Sequence, residues 1–486
     1  MKRNSPSEGD DYAGAPIGDR IIGQIKDARW FPFKSVESVE ASVRDIIPKG
    51  INGKSPRIVL LDVRTEREAA TIALAGFFHE AEVGESRSGN ESIFTDEVAT
   101  GVLVPVIREV VQLGSLSGTH GRIIFSGMFL NDLAGYLRGD VTAQVLKAEQ
   151  SNTSFVLGDK FICKLYRRPI SPDNPDFVLP EKLHAETHFK NVPMPYAQLV
   201  YEGDRKLSLL SVQEFIRNDG DYWSFLTGRL MEAFLKSIAE GKDEPVNLDM
   251  DTIQHVDQLA IVTGNLHRAL FNLSGDKFQP QPANEEILSG LKKRVYALTE
   301  VIRNIHQRYY LDGEALSSAQ FSDIIMKILE RFDLKQLLSS KVMRVHGDLH
   351  LGQILKTPRG PMIIDFEGEP ARSETERQAK DFALKDVSGM IRSLDYAAAY
   401  YPATSGISHS KAIYLSDLLT DRFKEKYWET AYGMEFLPSS YEQYLEMSRF
   451  FELEKALYEL AYEANNRPAW TIIPKTALER IAKYMM

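Results

Sequence analysis

Apolar and polar residues change rhythm along this chain. Between about 20 and 103, compact apolar runs such as RIVLLDV (57–63) alternate with helically spaced ones such as EVATGVLVPVIREVV (97–111), which predicts an α/β region. The intervening EVGESRSGNESIFTD (82–96) has little to bury and reads as an exposed loop or hairpin. From about 121, GRIIFSGMF, SFVLGDKFICKLYRR and KLSLLSVQEFI are short β-rich runs joined by polar turns. After NDGDYW (218–223), helical patterns take over at 224–240, 251–272, 284–309, 320–338 and 441–466, interrupted by a β-rich island from Val342 to Asp365. The expectation is an α+β, bilobal chain. It has a loose tail over 1–18, a cap domain over 19–103, a β-rich lobe over 104–217, a helical lobe over 218–486, and a cleft between the lobes.

Composition narrows the function more than the fold. The 58 basic and 68 acidic residues give a formal charge of −10, against a phosphate-backbone binder, so no nucleic-acid partner is expected. A single cysteine, Cys163, excludes an internal disulfide and a cysteine-rich zinc site. No run of 18 apolar residues occurs, and MKRNSPSEGDDYAGAP lacks the apolar centre of a signal peptide, so a cytoplasmic protein with no membrane role is expected.

Chemistry concentrates in VHGDLHLGQILKTPRGPMIIDFEGEP. A polar loop leads into a short strand, a turn at PRG and the apolar strand PMIID. Asp348 and Gln353 stand in an Asp-x-x-x-x-Gln spacing, the offset at which protein kinases place the catalytic Asp and a metal-holding Asn. Asp365 follows on the next strand, as a hard carboxylate suited to Mg²⁺. Asp348 would accept the proton of an attacking hydroxyl, with Gln353 and Asp365 as metal ligands. His346 and His350 share a metal-ligand spacing on a helix, but Gly347 and Gly352 oppose a helix there, so His346 is expected to brace the loop.

Phosphoryl transfer demands more parts upstream, and they occur in order. EQSNTS (149–154) offers Ser151, Asn152 and Thr153 as small polar groups for ATP phosphates. Lys164 lies inside the apolar strand FICKL, where an unpaired ammonium is costly. Glu181 or Glu186, on the helix after PDNPDF, would pair with it, with Glu181 favoured. SVQEFIRNDGDYW ends a strand in a linker, where adenine would meet backbone groups near Glu214 and Ile216.

These segments resemble the bacterial and archaeal maltokinases, relatives of aminoglycoside and choline phosphotransferases with a eukaryotic-kinase-like fold. EQSNTS, HGDLHLGQ, IDFEGEPARS, DVSGMIRSLDYAA (386–398) and YELAYEANNRPAW (458–470) carry the likeness, which covers most of the chain from about Gln150 onward. RWFPFKS (29–35) looks like a degraded form of the stretch that opens the family's extra N-terminal cap. The resemblance implies transfer of a phosphoryl group from ATP to the anomeric hydroxyl of maltose, with Mg²⁺ as cofactor and a separate trehalose synthase as a possible associate. By position, Asp348 matches the catalytic base, Gln353 and Asp365 the magnesium ligands, and Lys164 the phosphate lysine. Where the family places Glu after Asn-Pro-Asp/Glu, this chain has Val178. The sugar would be held by Glu459, Tyr462, Asn466 and Arg467 on the C-terminal helix and by the region around GEPARS, with Glu367, Arg372 and His350 as further candidates. Phosphorylation of glucosamine or glucose, or a binding module without catalysis, stands as the alternative.

Overall fold

The computed structural model describes the chain except for residues 1–16, 29, 34–38, 50–54, 67, 79–93, 97–100, 147–151, 241–245, 306, 312–313, 370–371 and 406–408. The chain divides into two compact units, Met1–Phe177 with Met194–Ile216, and Val178–Pro193 with Arg217–Met486.

The first unit carries two sheets. Strands β1 (Glu40–Ile47), β2 (Arg57–Arg64), β3 (Ala69–Phe78) and β4 (Phe94–Asp96) form an antiparallel sheet in chain order. The alternation of strand and helix expected over 20–103 is replaced there by a strand meander with a helix, α1 (Ile17–Ile25), packed on it. RIVLLDV is an unbroken apolar run because both faces of β2 are covered. Val59, Leu61 and Val63 enter a core with Ile21, Phe31 and Phe33, while Ile58 and Leu60 enter another. That second core also contains residues of the neighbouring sheet, among them Phe155, Phe161, Cys163 and Leu199, so one hydrophobic core runs across the 103/104 position.

The neighbouring sheet has seven antiparallel strands. They are β5 (Ser115–Ser117), β6 (Arg122–Ser126), β7 (Ala143–Val145), β8 (Thr153–Leu157), β9 (Phe161–Ile170), β10 (Pro195–Glu202) and β11 (Lys206–Glu214), ordered β5-β6-β10-β11-β9-β8-β7. Helices α2 (Leu103–Leu113) and α3 (Leu130–Tyr136) contribute to its core, and α4 (Pro175–Glu186) follows β9.

The second unit is helical around one large core. Helices α5 (Tyr222–Glu240), α6 (Met250–Phe271), α7 (Glu285–Arg303), α8 (Ser318–Arg331), α9 (Glu374–Gln378), α10 (Leu384–Ser405), α11 (His409–Ala431), α12 (Tyr441–Asn466) and α13 (Ile472–Met485) are joined by segments that form short two-stranded sheets. These pair β12 (Gln281–Pro282) with β15 (Lys341–Val342), β13 (Arg308–Leu311) with β14 (Glu314–Ser317), and β16 (Ile354–Thr357) with β17 (Gly360–Ile363). The helix expected over 284–309 stops at Arg303, because Tyr309 turns inward on β13 to stack on Phe321 at 4.2 Å. The one expected over 320–338 stops at Arg331, and Asp333 caps a separate 3₁₀ turn. Helix α10 escaped the pattern because it is buried nearly all round and so has no polar face to set a period. Among the described residues no helix is long and apolar enough to cross a membrane.

Candidate active site

The HGDLHLGQ stretch folds as the sequence demanded locally. Gly347 has φ +88°, a conformation open to glycine, and Leu351–Gln353 form a single 3₁₀ turn capped by His350, whose Nδ1 accepts the Gly352 N–H at 3.1 Å. Burial pushes the His350 imidazole below its ordinary range, so it stays neutral and keeps that acceptor. His346 does brace the loop: its Nε2–H donates to the Ile364 carbonyl at 2.9 Å, and its Nδ1 accepts the Asp348 N–H at 3.3 Å. One imidazole thus ties the Asp348 turn to the strand that leads into Asp365.

Helix α10 grips the same loop from behind. Asp386 accepts the His346 N–H at 2.7 Å and the Gly347 N–H at 2.8 Å, and Ser393 Oγ accepts the Leu351 N–H at 3.1 Å. A Cβ at Gly389 would overlap the Leu349 carbonyl, so the glycine permits the close approach. Residues 386, 389 and 393 are three and four apart and therefore share a helix face. His267 donates to Asp386 at 3.2 Å and accepts from Tyr427 at 2.7 Å, so it packs the lobe behind the loop. Burial would raise the Asp386 carboxyl, but the His267 bond and the Gly347 N–H outweigh it and hold it below the ordinary range.

Asp365 is the one non-glycine residue with positive φ (+64°) among the described residues. An aspartate held there, directly after a buried strand, is the kind of backbone strain that functional sites retain. Gln353 Nε2 donates to Asp365 Oδ2 at 3.1 Å, and Glu367 brings a carboxylate oxygen within 4.8 Å of an Asp365 one. Two carboxylates and an amide side chain are a hard-oxygen set suited to Mg²⁺.

Asp348 opens into a cavity of about 380 Å³. Trp223, Tyr396, Tyr458, Tyr462 and Trp470 give it aromatic faces, and Asp348, Glu459 and Glu463 give it carboxylates. Arg392 donates to Glu459 at 2.8 Å, yet burial still pushes the Glu459 carboxyl up. Glu463 is held by Arg467 through two bonds, 2.8 and 2.6 Å, and by the Tyr396 hydroxyl at 3.2 Å. Aromatic faces beside paired hydrogen-bonding carboxylates are what a sugar ring requires.

Of the residues the sequence nominated for the acceptor, His350, Glu459, Tyr462 and Arg467 line this cavity with Asp348. Two do not. Arg372 lines a separate cavity with Arg294 and Lys385 and is bonded to Glu369 at 2.5 Å. Asn466 turns back on its own helix to the Tyr462 carbonyl at 2.8 Å.

In the first unit, Lys164 Nζ lies 3.4 Å from Asp176 Oδ2, in a site where only 14% of the lysine side chain and 6% of the aspartate are exposed. Asp176 thus pairs with Lys164, a carboxylate of the NPD triplet that stands beside the sequence candidates Glu181 and Glu186 on the same helix. Tyr166 donates to the same Asp176 oxygen at 3.2 Å. Thr153 Oγ1 accepts from Arg167 at 2.8 Å, and Arg167 is clamped by Asp96 at 2.8 and 2.7 Å, which ties the start of β8 to the four-stranded sheet. Asn152 is described, whereas Ser151 lies outside the described residues. At the linker, the Glu214 N–H is taken by the Met194 carbonyl at 2.8 Å, and Ile216 is buried.

Sequence reasoning missed Lys455, which lines the same cavity as Asp348 and bonds Glu369 at 2.6 Å. Burial would raise the Glu369 carboxyl, but Lys455, Lys385 and Arg372 hold it down to about 2 from 4.5. A depressed carboxylate stabilises the fold above its unfolded value and loses that contribution as pH falls through the folded one. The shift corresponds to about 3 kcal/mol. Glu369→Gln is therefore expected to be less stable than the parent by about that amount at pH 7, with the gap closing between pH 4.5 and 2. Urea unfolding at a series of pH values checks this, and parallel curves would contradict it.

No family model matches the chain. The glucosamine kinase of Streptacidiphilus jiangxiensis is 26% identical over 254 residues, which cover 51% of this chain and only 53% of that protein. The glucosamine kinase of Mycolicibacterium smegmatis is 24% identical over 339 residues, 68% of this chain and 78% of that protein. A solved glucosamine kinase in complex with glucosamine, ADP and inorganic phosphate superposes with a TM-score of 0.65 at 16% identity, covering 93% of this chain and 96% of that one. The fold is that of the glucosamine kinases. A second crystal form agrees, with a TM-score of 0.66 at 17% identity. The α+β class expected from the sequence is therefore the observed one.

Proposed function

We propose that the chain is an ATP-dependent sugar kinase whose acceptor is an amino sugar such as glucosamine. The observation that carries this is the aromatic and carboxylate cavity opening onto Asp348. Its lining has three carboxylates (Asp348, Glu459, Glu463) against two cations (Lys455, Arg467), and the excess negative charge favours an ammonium-bearing sugar. Two relatives named as glucosamine kinases support the same reading.

In this mechanism the acceptor ring stacks on the aromatic faces and its hydroxyls pair with Glu459, Glu463 and Arg467. Asp348 orients one hydroxyl and takes its proton as the sugar oxygen bonds to the γ-phosphorus and the bond to the ADP oxygen breaks. Lys164, steadied by Asp176, offers its ammonium to the ATP phosphates. Asp365 and Gln353 would hold Mg²⁺, with Glu367 close by; the bound ion supplies neutralisation of phosphate charge. Asp386, Gly389 and Ser393 keep the loop rigid, so the positioning on which phosphoryl transfer depends is built in before substrate arrives.

Maltose is the second reading, favoured by the YELAYEANNRPAW helix that lines the cavity and by its likeness to the maltokinases. ADP release measured with glucosamine, maltose, glucose and kanamycin separates the readings. Glucosamine is expected to give the highest kcat/KM. Maltose in that place would favour the second reading, and no acceptor-dependent ADP release with any sugar would sink both in favour of a binding module.

A further inference from the structure

We propose that Lys455 is a positioning residue for phosphoryl transfer, bridging from Glu369 to hold the Asp348 carboxylate in its working orientation. The inference rests on the kinase reading of Asp348.

Lys455 projects from the middle of α12, and only 21% of its side chain is exposed. Its Nζ lies 2.6 Å from Glu369 Oε1, 3.7 Å from Asp348 Oδ1, and 5.1 Å from the centre of the Tyr458 ring. Burial alone would discharge the ammonium, but Glu369 and Asp348 outweigh it and hold the group above its ordinary range.

Glu369 would suffice to satisfy a lysine placed there only for packing. Asp348 is what gives the contact a further purpose. Among the described residues Lys455 is the one ion-pair partner of the Asp348 carboxylate, whose loop is otherwise tied down through backbone groups. The loop is thus rigid, while the orientation of the carboxylate that must face the acceptor depends on an ammonium from a distant helix. Both Lys455 and Tyr458 line the acceptor cavity, one turn from Glu459 and Tyr462, so the helix that holds the sugar also aims the carboxylate.

The charges are arranged for a proton to arrive. Glu369, Lys455 and Asp348 together carry one net negative charge. When the acceptor O–H breaks and its proton passes to Asp348, the acceptor oxygen bonds to phosphorus, ADP leaves with the electron pair of the broken P–O bond, and Lys455 remains neutralised by Glu369. The ammonium keeps a partner before and after the step and need not move. The closer contact to Glu369 anchors it, and the looser one to Asp348 leaves that carboxylate able to accept.

A double-mutant cycle on the full chain tests this. Lys455→Met is expected to lower kcat with the proposed acceptor roughly 10- to 100-fold, a typical cost for losing one preorganised charge, with the KM for ATP within about two-fold. Lys455→Arg should recover part of the loss. Because Lys455→Met strands Glu369, Lys455→Met/Glu369→Gln serves as the folded control and should be as slow as Lys455→Met. In an Asp348→Asn background, Lys455→Met should cost nothing further. Wild-type kcat in Lys455→Met/Glu369→Gln would overturn the role of Lys455, as would an undiminished cost in the Asp348→Asn background. Near-normal activity of Asp348→Asn alone would overturn the underlying reading of Asp348, and this proposal with it.

Discussion

Asp348→Asn is expected to lower kcat by about 10²- to 10⁴-fold, the usual weight of a positioned general base, while the KM for ATP stays nearly unchanged. The amide nearly matches the carboxylate in shape, and the loop around it is held by groups the substitution does not touch. The His346 imidazole bonds the backbone N–H of residue 348, and Asp386 bonds the two residues before it. The loss therefore falls on chemistry, and a melting temperature close to the parent's should accompany it. A variant that keeps near-normal turnover contradicts the role given to Asp348; one that is inactive and unfolded says that the loop needed the charge for stability instead.

The largest expected effect on stability belongs to Asp386→Ala. Its carboxylate is buried and serves two backbone N–H groups and His267 at once. Truncation leaves those donors unsatisfied in a dry interior, and the expected cost is about 3–5 kcal/mol, the range for breaking a buried charged network. Activity should fall further than stability explains, because the freed His346–Gly347 backbone no longer fixes Asp348. Urea unfolding together with kcat at a temperature where the variant is folded checks both parts; a loss below about 1 kcal/mol would show that the loop does not depend on α10.

How much of this was legible in the sequence follows from how local each signal is. The loop, the β16–β17 hairpin and Asp365 sit within one contiguous stretch, so spacing alone set out their relation, and glycine at 347 announced the turn. Lys164 was legible because an apolar strand makes a lysine conspicuous. Its pairing with Asp176 was not: Asp176 and Glu181 share one helix, and residue type alone does not single out Asp176. Asp386 and Lys455 stayed hidden for a related reason: each acts on a loop tens of residues away, and on their own helices they read as an ordinary acid and an ordinary base. The spacing of Asp386, Gly389 and Ser393 was the available clue, since a buried helix face bearing Asp, Gly and Ser has something polar to hold. Arg372 and Asn466 were nominated through the family resemblance, which works by position along the chain, and each makes a hydrogen bond within its own segment that the sequence did not announce.

The central claim is that a sugar hydroxyl takes a phosphoryl group from ATP at Asp348. Phosphorus NMR of the full chain with ATP, Mg²⁺ and glucosamine, and in parallel with maltose, tests it most directly. The account predicts a new phosphomonoester resonance growing in step with ADP in the glucosamine mixture and lost with Asp348→Asn; ADP without any sugar ester in either mixture, or no consumption of ATP, would contradict it.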